Sequence, residues 1–408
     1  MEVERKQSVI LVPCPYQGHL TPMLQLGNIL HSQGFSVIVA HTRHNAPNYT
    51  NHPQFVFHSM DDGLQRIDMS FPSVETLYSM NENCKVHLRN YLAAMMEEEG
   101  NELACIIYDS VMFFVDDVAT QLRVPTVVLY TFSAAFLHSI IMILQQPEKY
   151  FPFEDSQLMD PLPEATCDIG SSVAAIWNTM QDLEDSTLLR LQEHYKMPFF
   201  PIGPFHKMGP LDSLSSIFEE DNSCLEWLDK QAPNSVLYVS LGSLAMINDK
   251  ELIETAWGLA NSEQPFLWVI RPGSISGFQY AEALPDGYEE MVGERGRIVK
   301  WAICEQVPMI CRPFIADQLV NARYLSQIYK VGFEIEVIER TVIEKTIRKL
   351  MLSEEGENVK KRVVDMKQNI VAAMEIDGTS HKNLKDLVDF ISALPSRLPP
   401  PTPVVVGS

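Results

Sequence analysis

Cationic side chains are scarce in this sequence: 31 Lys and Arg face 53 Asp and Glu among 408 residues, a formal net charge of −22. A surface of that sign repels phosphate backbones and anionic lipid, which disfavours general nucleic-acid or membrane-surface binding. No apolar run approaches the ~18 residues that a membrane-spanning helix needs. The opening MEVERKQSVILVPCP passes from charge straight into a short β-like run, without the long apolar core and small-residue cleavage site of a secretory signal. Seven cysteines, at 14, 84, 105, 167, 224, 304 and 311, form an odd and scattered set with no C-x-x-C pair. Neither a disulfide framework nor a structural zinc site is expected from them, and a reducing cytoplasm suits them best. Familiar nucleotide and hydrolase fingerprints are missing as well. Without G-x-G-x-x-G or G-x-x-x-x-G-K-[ST], a nicotinamide Rossmann enzyme or a P-loop NTPase is disfavoured, and without G-x-S-x-G so is an α/β-hydrolase.

What is present is ordinary globular composition, 46% apolar and 21% charged. At ~150 residues per domain the length suggests two or three domains. Short β-rich runs alternate with amphipathic helical stretches, the pattern of parallel α/β architecture. In the first half, strands are expected at 8–13, 36–40, 104–108, 125–130, 174–177 and 198–202, and helices at 23–32, 114–122 and 134–145. In the second half, strands are expected at 236–239, 266–270, 297–300, 308–311 and 332–336. Its helices are expected at 249–260, 321–326, 343–352, 358–374 and 382–394. The texture changes between them, with Pro204, Gly209, Pro210, a Ser-rich stretch and the acidic Glu219, Glu220 and Asp221. The expected organisation is therefore a Rossmann-like domain at 1–203, a linker at 204–234, a second Rossmann-like domain at 235–394, and a Pro-rich tail without fixed structure at 395–408. Sheets of this kind bind ligands beyond the carboxyl ends of their strands, so a cleft between the halves and the residues just after each strand are where chemistry is expected.

Three such residues stand out. His19 follows Gly18 at the turn after the first strand, and His is the commonest general base near neutral pH; an exposed or capping His is the alternative. Asp109 ends the apolar run Cys105–Tyr108, where a carboxylate would fix the tautomer of a nearby imidazole; an N-cap of the next helix is the alternative. Ser243, in the turn Leu241-Gly242-Ser243, could offer a hydroxyl and backbone N–H groups to a phosphate, or simply cap a turn.

Longer segments carry a family resemblance. PYQGHLTPMLQL, IWNTMQDLE, PFFPIGPFHKM, WLDKQAPNSVLYVSLGS, PFLWVIRPG, LPDGY, GERGRIVKWA and VPMICRPFIADQLVNARYL occur in this order. Together they resemble the plant UDP-dependent glycosyltransferases of the GT-B fold, over about residues 8–394. The resemblance implies an α/β protein of two doubly wound parallel-sheet domains facing across a cleft. It implies an inverting glucosyltransferase acting from UDP-glucose on a hydroxyl of a flavonoid, another phenolic, a terpenoid or a hormone. His19 matches the general base and Asp109 the residue that orients it. Thr131 and Ser243 match hydroxyls near the sugar and phosphates, Trp301 the ring stacked on uracil, Ala302 its neighbour on the uracil edge, and Asp317 with Gln318 the pair that binds sugar hydroxyls. No metal and no cofactor is implied beyond the UDP-sugar co-substrate. The partners are that donor and a small acceptor, with no nucleic acid or membrane, and the protein is expected to be a cytoplasmic monomer.

The resemblance also exposes a departure. The family's donor signature runs roughly forty-four residues from that Trp to that Gln, one form of the nucleotide site of α/β sheets. Here Trp301 to Gln318 spans 18 residues. The absent middle would carry the helix N-terminus that cradles the diphosphate and the Glu that holds the ribose. A second, smaller gap is expected near 163–169. Parallel strands of one sheet need a crossover of about a dozen residues, and only Ala302, Ile303, Cys304, Glu305 and Gln306 are available. The expectation is that the strand at 308–311 either shifts beside 236–239 or is displaced, leaving the second domain short of a strand–helix unit and weak toward UDP. The alternative function is then a catalytically impaired relative that at most binds acceptor.

Overall fold

Val9, Ile10, Leu11 and Val12 are each 0% exposed. A strand buried on both faces belongs to a parallel sheet covered by helices on both sides. The computed structural model describes residues 7–64, 74–97, 102–146, 166–209, 222–240, 246–270, 274, 284–299, 308–314 and 317–399. It divides into two compact units, Met1–Ile217 with Ala372–Ser408, and Phe218–Val371.

The first unit holds a seven-stranded parallel sheet. Its strands are β1 (Ser8–Val12), β2 (Ser36–Thr42), β3 (Val56–Met60), β4 (Leu103–Asp109), β5 (Thr126–Tyr130), β6 (Ala174–Trp177) and β7 (Phe199–Pro201). They run in the order β3-β2-β1-β4-β5-β6-β7. The order reverses between β1 and β4, where Leu11 lies beside Ile107 and Val12 beside Tyr108. This topological switch point opens a crevice at the carboxyl ends of the two strands.

The helix after β1 runs Gln17–Ser32, six residues longer at its start than the sequence suggested, with Pro22 inside it. Pro22 lacks the N–H that would reach the carbonyl of Gly18, yet the turn before it holds. Extending the helix back to Gln17 places His19 in the first turn rather than in a loop. At Gly27, on the buried face, the helix packs closely on its neighbours: a Cβ there would lie 2.8 Å from Leu11 Cδ1 and 3.0 Å from Phe55 Cζ.

Several segments of the first unit differ from the sequence reading. β3 and the helices Val74–Glu97 and Gln181–Tyr195 were not anticipated. The C-terminal helix Thr379–Ser392 belongs to the first unit, not to the second domain. Leu384, Leu387 and Ile391 recur at helical spacing and enter the same core as Phe200 and Ile202. Ser380 Oγ donates to the Gly203 carbonyl at 2.7 Å and Asn383 Nδ2 to the Pro201 carbonyl at 3.0 Å, which covers the open edge at β7. The expected linker also begins later, since Phe205 is fully buried in the first core. The expected tail is partly seated, with the Leu398 N–H donating to the Arg123 carbonyl at 2.7 Å, and residues 400–408 lie outside the described residues.

The second unit contains β8 (Leu237–Ser240), β9 (Phe266–Val269) and β10 (Gly296–Val299), parallel in the order β10-β9-β8. Helix Asp249–Ser262 opens with a capping box, Asn248 accepting from the Glu251 N–H and Glu251 from the Asn248 N–H. With helix Arg340–Leu352 it encloses a core of Leu252, Ala256, Leu259, Phe266, Trp268, Ile343 and Ile347. β11 (Met309–Cys311) pairs in parallel with β12 (Gly332–Glu334) as a separate two-stranded sheet. Among the described residues β8 pairs with β9 alone, so β11 has not moved into a slot beside 236–239. Nine residues separate β10 from β11, below the dozen or so that a crossover within one parallel sheet requires. Residues 300–307, and residues 163–165 of the expected second gap, lie outside the described residues.

Candidate active site

The carboxyl ends of β1, β4 and β5 bring three expected residues together. Asp109 is the last residue of β4 and is fully buried. Its Oδ2 lies 2.8 Å from His19 Nδ1, and its Oδ1 accepts the Val111 N–H at 3.1 Å. The turn is held by the Met112 N–H on the Asp109 carbonyl at 2.7 Å and the Ser110 N–H on the Leu129 carbonyl at 3.1 Å. The His19 side chain is 26% exposed, so the ring held by Asp109 is partly accessible to solvent. A carboxylate at this distance demands a proton on Nδ1 and leaves the lone pair on Nε2.

Thr131, one residue past β5, places its Oγ1 3.1 Å from the same Nδ1. The sequence assigned Thr131 to the donor sugar and gave no sign of its contact with the imidazole. The β4–β5 register explains it: Asp109 pairs with Leu129, and Thr131 lies two residues farther along the same face. Cys14 sits close by, fully buried, its thiol pushed well up first by burial and then by the Asp109 charge. Such a thiol stays protonated and is no nucleophile.

The remaining expected residues belong to the second unit of the chain. Asp317 and Gln318 open the helix Asp317–Arg323 of the second unit. There Asp317 Oδ2 accepts from Asn321 Nδ2 at 2.9 Å and Gln318 Oε1 accepts the Phe314 N–H at 2.9 Å. Ser243, Trp301 and Ala302 lie outside the described residues. Among the described residues no group of three or more His, Cys, Asp or Glu side chains could hold a metal ion.

A second acidic group lies behind the site. Asp116, in the helix Phe114–Leu122, accepts from the Tyr108 hydroxyl at 2.9 Å and from Thr126 Oγ1 at 3.2 Å. Burial outweighs these bonds and raises its carboxyl from 3.8 to about 6. Because the folded value lies above the unfolded one, the folded state binds the proton more tightly, and stability falls as pH rises from about 4 through 6. Asp116→Asn should flatten this fall. In urea denaturation at pH 4.5 and 7, the wild type should lose about 1–2 kcal/mol more than the variant between the two pH values, allowing for partial solvent screening. Equal losses in the two proteins would refute the assignment.

No family model matches the chain. Individual relatives do. UDP-glycosyltransferase 76E1 of Solanum lycopersicum is 73% identical, the match covering 99% of this chain and 96% of the relative. Flavonol 3-O-glucosyltransferase UGT76E12 of Arabidopsis thaliana is 35% identical, covering 96% of this chain and 98% of the relative. The tomato match runs over 457 positions against the 408 residues of this chain, so at least 49 positions face no residue here. Phytolacca americana UGT2, solved with UDP-2fluoro-glucose and pterostilbene, has a TM-score of 0.78 at 21% identity, covering 96% of this chain and 100% of that one. That likeness in fold identifies the architecture as GT-B. Near-complete coverage at 73% identity goes further: the chain belongs to the plant UDP-glycosyltransferase family.

Proposed function

We propose that the first unit is the acceptor-activating half of an inverting UDP-glucosyltransferase, acting on a hydroxyl of a plant flavonoid, another phenolic, a terpenoid or a hormone. The observation that carries this reading is the 2.8 Å contact between buried Asp109 and His19 at the sheet's switch point, with the imidazole partly open to solvent. His19 Nε2 takes the proton of the acceptor hydroxyl as its oxygen attacks the anomeric carbon. The bond from that carbon to the diphosphate breaks on the opposite face, UDP leaves with the electron pair, and the configuration inverts. Asp109 stabilises the imidazolium formed, which a buried carboxylate does without itself becoming protonated. The name of the Arabidopsis relative favours a flavonol among the acceptor classes. The donor is UDP-glucose, with Trp301 and Ala302 at the uracil, Ser243 at the phosphates, and Asp317 and Gln318 at the sugar. No metal or further cofactor takes part. We place the protein as a cytoplasmic monomer; no helix among the described residues is long and apolar enough to cross a membrane.

A specific observation favours a second reading of the donor half. The 18 residues from Trp301 to Gln318, the separate β11–β12 sheet and the 49 unmatched positions agree with loss of the segment that would cradle the diphosphate. On this reading the chain retains acceptor binding and turns over slowly or not at all. Incubation with UDP-glucose and a flavonol, followed by chromatography of the glucoside and assay of released UDP, tests both. A β-linked glucoside from the α-linked donor supports the transferase; retention of configuration refutes the inverting assignment. Absence of product together with retained flavonol binding supports the impaired reading.

A further inference from the structure

Two groups compete for one hydrogen at the heart of the site. His19 Nδ1 lies 2.8 Å from Asp109 Oδ2 and 3.1 Å from Thr131 Oγ1. If Nδ1 carried a lone pair, a hydroxyl could donate to it, but the fully buried Asp109 carboxylate would face that lone pair at close range. Its other oxygen is committed to the Val111 N–H, so the carboxylate is held in place. The proton therefore resides on Nδ1, and Thr131 stands as a second acceptor of the same N–H. A threonine hydroxyl that accepts through its oxygen keeps its own hydrogen free to donate elsewhere.

We infer that Thr131 is a positioning residue for the base: its hydroxyl oxygen shares the Nδ1–H of His19 with Asp109. This rests on the reading of His19 as the base and deepens it. Asp109 alone would let the ring pivot about a single bond, whereas two acceptors, one ending β4 and one just past β5, fix both its plane and its tilt.

The test uses the full chain with labelled histidine and the variants Thr131→Val, which keeps the shape and removes the hydroxyl, and Thr131→Ser, which restores it. The His19 signals are identified by their loss in His19→Gln. Nitrogen–proton correlation spectra should show the Nδ1–H tautomer in the wild type. In Thr131→Val the Nδ1 proton should move upfield and exchange with water about three- to tenfold faster, the effect of removing one modest acceptor. Thr131→Ser should return both values toward wild type, and thermal midpoints of the three proteins should coincide. Where turnover is measurable, Thr131→Val should lower kcat by a similar factor with little change in the acceptor KM. An Nε2–H tautomer in the wild type, an Nδ1 proton indifferent to Thr131→Val, or no recovery in Thr131→Ser would each overturn the inference. A silent transferase assay with the spectra as expected would remove the proposed reaction and leave this arrangement standing.

Discussion

UDP titrated into this chain should bind no tighter than about millimolar, and insertion of the tomato relative's own segment between Trp301 and Val307 should tighten it by about 10²–10³-fold. The argument is one of magnitudes. Stacking of a base on an aromatic ring contributes about 1–3 kcal/mol, whereas millimolar affinity already requires about 4 kcal/mol. The diphosphate is the larger part of the ligand, and its charge must be met by backbone N–H groups or cations. This chain is poor in cations, at 31 against 53 acidic groups, and only nine residues join β10 to β11. No helix N-terminus of useful length fits in that span together with a strand. On the impaired reading of the donor half, restoring the segment would return the cradle and the crossover at once, and each tenfold gain in affinity is about 1.4 kcal/mol. Calorimetry with UDP on both proteins decides it. Micromolar binding by the unaltered chain would refute the impaired reading of the donor half, and so would an insertion that folds but leaves the affinity unchanged.

His19→Gln should abolish glucosyl transfer by the segment-restored protein, lowering kcat/KM by about 10²–10⁴-fold, the usual contribution of a positioned general base. Gln keeps a polar side chain of similar length but cannot take a proton. Asp109→Asn should lose about as much by another route. The amide nitrogen would donate toward Nδ1, drive the proton to Nε2, and occupy the very lone pair the acceptor hydroxyl needs. UDP affinity should be unchanged in both, since the donor residues assigned to the nucleotide lie in the second unit. Initial rates at saturating acceptor, beside UDP calorimetry, separate the two effects. His19→Gln retaining more than a tenth of the rate would show that His19 is not the base, and a joint loss of UDP binding would point to damage beyond the dyad.

Strands of the sheet core were legible because burial on both faces makes them nearly continuous aliphatic runs, as at 8–12 and 126–130. β3 escaped notice because it lies at the sheet edge, where Val56 is 59% exposed and His58 and Ser59 interrupt the pattern. Helix Val74–Glu97 does carry a helical stripe, Leu77, Met80, Cys84, Leu88, Leu92 and Met95, but polar residues between them dilute it. The C-terminal helix was legible as a helix and misplaced as to its core. Its stripe of Leu384, Leu387 and Ile391 says that one face is buried, not which sheet buries it.

The same division runs through the site. By itself the sequence determined that a histidine follows strand β1 and a carboxylate ends strand β4, that the chain resembles the plant UDP-glycosyltransferases, and that the stretch from Trp301 to Gln318 is short. These are local facts, written in residue types and spacings. Only the tertiary structure decided that β1 and β4 are neighbours at the switch point, which brings residues 90 positions apart to 2.8 Å. It alone moved His19 onto a helix turn and set Thr131, 112 positions away, on the same nitrogen. Strand order and register are settled by which apolar faces can be covered together, a property of the whole sheet that no single strand's sequence contains.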